Sequence, residues 1–276
     1  MTTGGTATQA VILARGLGSR MRRASGATAV LDEAQSAAAE QGAKGMMPFA
    51  RPFLDYVISA LADAGITDVV LVIAPGHSAV REYYTTASPP SRVRVRFAMQ
   101  PDARGTADAV RAAQDSVRNA PFLVLNSDNY YPVEAYRMLA AIGGAGLIGF
   151  ESEALVREGG IDAERVLRYA LIETDGDGWL KLIREKPAAD DPLALRAERW
   201  VSMNLWSFTP TIFEACGRVR PSPRGELELV DAVTLSMLEL GERYRVIPMH
   251  AGVLDLSSRA DVAVVASRLA AITARP

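Results

Sequence analysis

A short uncharged run, Gln9-Ala10-Val11-Ile12-Leu13-Ala14, leads directly into a turn with two glycines, Gly16 and Gly18, and then into Ser19-Arg20-Met21. No other feature of the chain restricts its fold as tightly. An apolar run without alternation suits a strand covered on both faces, as parallel sheets require. Similar runs recur at 68–74, 93–99 and 121–126. Between them lie segments of helical period. The stretch 53–64 starts after Pro52 and puts Leu54, Val57, Ile58 and Leu61 on one face; 106–117 does the same with Ala109, Val110, Ala113 and Val117. Strand alternating with helix predicts an α/β fold with a mainly parallel sheet flanked by helices.

The second half is less regular. Segments 168–173 and 179–184 flank Thr174-Asp175-Gly176-Asp177-Gly178, the composition of a hairpin turn. A strand is expected at 200–208, a helix at 227–240, a strand at 244–249 and a closing helix at 258–273. This half reads as an antiparallel addition to the same sheet, in one domain spanning 1–276. Residues 22–43 are rich in Ala, Gly, Ser, Gln and Glu, and only 31–40 looks helical. They read as a long, partly mobile surface insertion.

Composition excludes several classes of function. The 276 residues carry 30 Lys+Arg against 32 Asp+Glu, without the basic excess of a nucleic-acid binder. A 49% apolar content at net charge −2 excludes disorder. Cys216 is the single cysteine, so an internal disulfide or a thiolate cluster is impossible. His77 and His250 are the only histidines, which makes a hard cation on carboxylates the expected metal chemistry. No apolar run reaches 18 residues and no secretory leader is evident, so a cytoplasmic protein without membrane contact is expected.

Glycines after a first strand let backbone N–H groups approach a phosphate, and Arg20 adds a permanent cation. The Gly-x-x-x-x-Gly-Lys-Ser/Thr phosphate loop is absent. The dinucleotide fingerprint fails too, because Met21 stands where its third glycine belongs.

The segment Leu13-Ala14-x-Gly16-x-Gly18-Ser19-Arg20-Met21 resembles the opening signature of the sugar-1-phosphate nucleotidyltransferases. Six further segments resemble that family in the same order. They are Lys44-Gly45-Met46-Met47-Pro48-Phe49, Gln100 with Gly105-Thr106-Ala107-Asp108, Leu125-Asn126-Ser127-Asp128-Asn129, Glu185-Lys186-Pro187, and the pair Gly225-Glu226-Leu227-Glu228 and Val253-Leu254-Asp255. The likeness runs over about 9–265 and is nearest the glucose-1-phosphate thymidylyltransferase branch.

The resemblance implies a Rossmann-like sheet of the nucleotide-diphospho-sugar transferase type. About 9–150 would bind nucleotide, about 151–257 sugar phosphate, and 258–276 would close the domain. It implies an NTP, dTTP or UTP, and a sugar 1-phosphate as partners, giving NDP-sugar and pyrophosphate, with Mg²⁺ as cofactor. Arg20, Lys44, Asp128 and Lys186 would be catalytic. Leu13, Ala14, Gly16, Gly18, Ser19, Gln100, Gly105 and Thr106 would bind nucleotide. Glu185, Lys186 and Asn204 would bind the sugar phosphate, and Asp128 and Asp255 the metal. A homo-oligomer is compatible with this reading. Absence of hexapeptide repeats leads to the expectation that the β-helical acyltransferase domain of some relatives is missing.

Three departures stand out. Arg15 occupies a place where the family has Gly or Ala. Twenty-three residues separate Arg20 from Lys44. Tyr169-Ala170 replaces Tyr-Gly beside the sugar. Other readings stay open: Asp128 as a helix N-cap before 132–140, Glu185 and Lys186 as a solvated pair, and Asn204 bonded to backbone. A guanylyl- or cytidylyltransferase acting on another phosphorylated sugar or alcohol is a further alternative. So is a catalytically silent regulatory paralogue, which the joint presence of Arg20, Asp128, Lys186 and Asp255 opposes.

Overall fold

The computed structural model describes residues 5–16, 18–22, 31–42 and 44–276. In chain order the elements are β1 (Gln9–Leu13), α1 (Ser19–Arg22), α2 (Glu33–Gln41), α3 (Phe53–Asp63), β2 (Asp68–Ile73), α4 (Ser78–Glu82) and β3 (Arg94–Met99). Next come α5 (Thr106–Ala112), β4 (Phe122–Asn126), β5 (Asn129–Tyr130), α6 (Val133–Ala141), β6 (Gly146–Glu151), α7 (Ser152–Arg157), β7 (Ala170–Thr174) and β8 (Leu180–Glu185). The chain continues through β9 (Trp200–Phe208), α8 (Thr211–Arg218), α9 (Leu229–Glu239), β10 (Arg245–Met249), β11 (Leu254–Asp255) and α10 (Asp261–Leu269). No helix among the described residues is long and apolar enough to cross a membrane.

β1 lies inside the sheet, parallel to β2 on one side and β4 on the other. Its side chains alternate between two apolar layers. Ala10 and Ile12 join the layer of Val57, Ile58 and Leu61 from α3, while Val11 joins Val110 of α5 and Val233 of α9. Cover on both faces is why the strand is apolar throughout. β2 and β4 divide likewise: Leu71 and Leu123 face one layer, Val70 and Val124 the other.

The main strand order is β10-β6-β9-β4-β1-β2-β3. The chain winds outward from β1 through β2 to β3, then returns to place β4 on the other side of β1. That reversal opens a crevice at the carboxyl ends of β1 and β4, the ligand position of open α/β sheets. β9 runs antiparallel to both β4 and β6 and carries the β7–β8 hairpin on its first residues.

Four details differ from the sequence reading. β6 is a buried strand that the sequence obscures, because Gly146 and Gly149 interrupt its apolar pattern. Gly149 faces Ile172 and Val246, where a built methyl would come within 2.9 and 3.1 Å. β10 pairs with β6 in parallel, so the second half is not wholly antiparallel. The helix expected over 106–117 ends at Ala112 with one further 3-10 turn. There the Gln9 side chain accepts from Arg118 N and donates to the carbonyls of Arg118 and Ala120, clamping the approach to β4. The closing helix starts at Asp261, which accepts from the backbone N–H groups of Ser257 and Ser258.

Part of the expected insertion, 23–30 and Ala43, lies outside the described residues. The rest is anchored. Asp32 and Gln35 form a capping box on α2, and Gln35 Nε2 donates to Pro48 O at 3.1 Å.

Candidate active site

The turn after β1 approaches the end of α2 so closely that a side chain is impossible at Gly18. Gly18 has φ +59°, and a methyl there would lie 2.3 Å from Gly42 O. Ser19 and Arg20 begin α1 and stay exposed, while Met21 is buried beneath them. Lys44 follows Gly42 in a single 3-10 turn, and its Nζ reaches Asp128 Oδ2 at 2.8 Å. Despite the long spacing, Lys44 is thus delivered to the crevice.

Asp128 lies just beyond β4, between it and β5. It does not cap α6, whose N-cap position belongs to Pro132. The two-residue ladder of β5 and β11 pairs Asn129 with Asp255, and Leu256 N donates to Asp128 O at 2.8 Å. This small sheet brings together two carboxylates separated by more than a hundred residues.

Asp255 is buried and well supported. Its oxygens accept from Asn129 Nδ2, Ser257 Oγ, Tyr169 OH and Arg165 Nη2, at 2.6 to 3.1 Å. Burial pushes its carboxyl up, and the charge of Asp128 pushes the same way against the hydrogen bonds of Tyr169 and Ser257 and the charge of Arg165. Arg165 also donates to Asp261 at 2.6 Å. Burial works against its charge, but Asp261 and Asp255 outweigh that and hold the guanidinium ionised. Burial, then the Asp255 charge, raise the Tyr169 phenol well above its ordinary value. Sequence reasoning missed Arg165, Asn129 and Ser257. The Val253-Leu254-Asp255 segment marks the acid but carries no trace of its partners.

On the opposite wall, Glu185 ends β8 and Lys186 follows at φ +45°. Their side chains pair at 3.5 Å. Burial raises the Glu185 carboxyl, opposed by Lys186 and reinforced by Glu228. Asn204 adopts φ +58° inside β9, a conformation that asparagine tolerates better than other L-residues. These non-glycine residues at positive φ both line the same cavity, and such strain concentrates at functional sites.

Beyond β3, Gln100 is buried. Its Nε2 donates to Gly105 O at 3.1 Å and to Asp108 Oδ2 at 2.9 Å. Both partners are acceptors, which fixes the amide orientation and leaves Oε1 as the acceptor available to a ligand. Gly105 has φ +120° and meets the backbone of Leu227, so its lack of a side chain serves packing as well as access. Thr106 Oγ1 accepts from Leu229 N at the start of α9.

A cavity of about 500 Å³ joins these walls. It is lined by Leu13, Ala14, Gly16, Gly18, Ser19, Arg20, Lys44, Gln100, Gly105, Thr106, Asp128, Glu185, Lys186, Asn204 and Asp255, together with Arg165 and Tyr169. Every residue nominated from the sequence therefore borders one space. Basic groups, two adjoining carboxylates and a buried amide suit an anionic ligand carrying a polar ring. Among the described residues no group of three or more His, Cys, Asp or Glu side chains could hold a metal.

The nucleotidyl transferase family model matches residues 39–255, and the chain belongs to that family. It is 28% identical over 232 residues to UTP--glucose-1-phosphate uridylyltransferase AglF of Haloferax volcanii, covering 82% of each chain. It is 24% identical over 194 residues to glucose-1-phosphate thymidylyltransferase of Neisseria gonorrhoeae, covering 68% of this chain and 62% of that one. A solved structure of UDP-glucose pyrophosphorylase complexed with UDP-glucose superposes with a TM-score of 0.73 at 16% identity, over 96% of this chain and 98% of the other.

Proposed function

We propose that this nucleotidyltransferase moves a uridylyl or thymidylyl group from UTP or dTTP to a sugar 1-phosphate, releasing pyrophosphate. The observation that carries the reading is the meeting of Lys44, Asp128 and Asp255 in one cavity whose other walls bear Arg20 and Lys186. The names of the uridylyl- and thymidylyltransferase relatives support it. An oxygen of the sugar phosphate attacks the α-phosphorus. The bond to the bridging β-phosphate oxygen breaks, and pyrophosphate leaves with that electron pair. No protein nucleophile is required. The chain's task is to hold two anions in line and offset their charge. Arg20 and Lys44 serve the triphosphate, and Lys186 serves the sugar phosphate. Glu185 and Asn204 offer hydrogen bonds to sugar hydroxyls.

Gln100 favours the base choice. With both amide hydrogens spent inside the protein, it can accept from the ring N–H of uracil or thymine, whereas cytosine presents a bare nitrogen there.

Mg²⁺ suits the Asp128 end. Asp128 Oδ1 has no hydrogen-bond partner among the described residues, and its charge already burdens Asp255. Asp128 would offer its free oxygen to a hard cation, and Asp255 would join it by giving up one of its present hydrogen bonds, with phosphate oxygens and water completing the shell. When bound there, Mg²⁺ supplies charge neutralisation at the phosphates.

The test is pyrophosphate release from purified protein with UTP, dTTP, CTP and GTP against a panel of sugar 1-phosphates. Release is expected with UTP or dTTP in Mg²⁺ and is expected to stop in EDTA. If no pair releases pyrophosphate, the reading fails; release confined to GTP or CTP replaces it with the corresponding guanylyl- or cytidylyltransferase.

A further inference from the structure

Arg15 and His77 line the cavity and take no part in the chemistry above. Arg15 leaves the end of β1 and reaches the loop after β3. There Nη2 donates to Pro101 O at 3.1 Å and Nε to Gln100 O at 3.5 Å. Its Nη1 is buried and has no hydrogen-bond partner among the described residues; the same holds for His77 Nδ1, just before α4. Burial lowers the pKa of His77 and the nearby Arg15 charge lowers it further, so the cation at this end is Arg15. Both residues line the cavity, and a guanidinium with one nitrogen unpaired can turn that donor to a ligand seated beside it. The two carbonyls hold the guanidinium against Gln100, while Lys44 is engaged with Asp128. Gln100 brings an acceptor to this end and Arg15 brings donors, in the fixed plane of a guanidinium.

We propose that Arg15, with His77 beside it, reads the base. Its guanidinium donates to a carbonyl oxygen of the base whose ring N–H is accepted by Gln100 Oε1. Uracil and thymine offer an N–H between two carbonyls, and guanine an N–H beside one. Cytosine and adenine lack that pairing. The inference rests on the nucleotide-transfer reading and adds a specificity residue to it.

Calorimetric titration of the whole protein with UTP, dTTP, CTP and inorganic tripolyphosphate, at constant salt, tests it. Arg15→Met is expected to weaken UTP or dTTP about tenfold or more, and CTP and tripolyphosphate less than about twofold. Arg15→Lys keeps the charge, and is expected to keep tripolyphosphate affinity while the preference for UTP over CTP narrows to what Gln100 alone provides. It also serves if Arg15→Met does not fold. Equal losses for UTP, CTP and tripolyphosphate would make Arg15 a phosphate contact and overturn the proposal. Undiminished preference in both variants would make it a brace for the loop and overturn it as well. Failure of the wild-type protein to bind any nucleotide overturns the transfer reading itself.

Discussion

Lys44 Nζ lies 2.8 Å from Asp128 Oδ2, so a residue from the 3-10 turn after α2 is paired with the acid at the end of β4. Both side chains are about one-fifth exposed, at 18% and 21%. A pair so open to water contributes roughly 0–1 kcal/mol to folding. Its importance is therefore expected in turnover. Lys44→Met is expected to lower kcat about 10²–10³-fold, the usual loss when one charge-stabilising donor is removed. The unfolding midpoint in urea should hardly move. A large loss of stability with near-normal kcat would instead make Lys44 a structural residue.

Arg165 is expected to show the reverse balance. It bridges Asp255 and Asp261, with side-chain exposures of 15% for Arg165 and 4% for Asp255. Removing one member of a buried pair strands the other, at a cost of about 3–5 kcal/mol. Arg165→Met should therefore destabilise the protein by that amount in denaturant unfolding. The double variant with Asp255→Asn should recover part of the loss. Strict additivity of the two substitutions would show that they do not communicate.

The contrast between these two cations explains what was legible in the sequence. The β1 turn was visible because a local pattern marks it: an apolar run stops, and glycines follow at the carboxyl end of a strand, whereas Asp128 was nominated through the family resemblance. Lys44 and Asp255 were visible through the family resemblance. Arg165 was not, since its role depends on a two-residue ladder between β5 and β11, which no periodicity announces. Gln100 was nominated, but the sequence could not tell that Asp108 and Gly105 take both its amide hydrogens. β6 was hidden for a related reason. Its glycines answer to neighbours on β7 and β10, far away in the chain.

The glycine turn makes a paired prediction. Gly18 has φ +59° and a would-be methyl 2.3 Å from Gly42 O, whereas a methyl at Gly16 meets nothing within 4 Å. Backbone strain alone costs about 1–3 kcal/mol at such a φ, and the clash adds to it. Gly18→Ala should lower stability by more than about 2 kcal/mol, since α1 and α2 can no longer meet. Gly16→Ala should stay within about 0.5 kcal/mol of the parent. Chemical denaturation of both variants distinguishes a turn built for contact from one that is simply glycine-rich.

Glu185 links the sugar wall to pH. Burial raises its carboxyl, and Glu228 adds to the effect despite the pairing with Lys186. A raised folded-state pKa means that the folded protein holds this proton more tightly than the unfolded chain. Stability contributed by the neutral acid is present below the unfolded value, about 4.3, and is lost as pH rises through the folded value. Glu185→Gln should accordingly unfold at higher urea than the parent at neutral pH. The two should converge below about pH 4, where the acid is neutral in both states. The same variant should raise KM for the sugar phosphate more than KM for the nucleotide, because Glu185 lies with Lys186 and Asn204 on the wall opposite β1. An advantage independent of pH would show that packing, and not the buried charge, sets the stability of this wall.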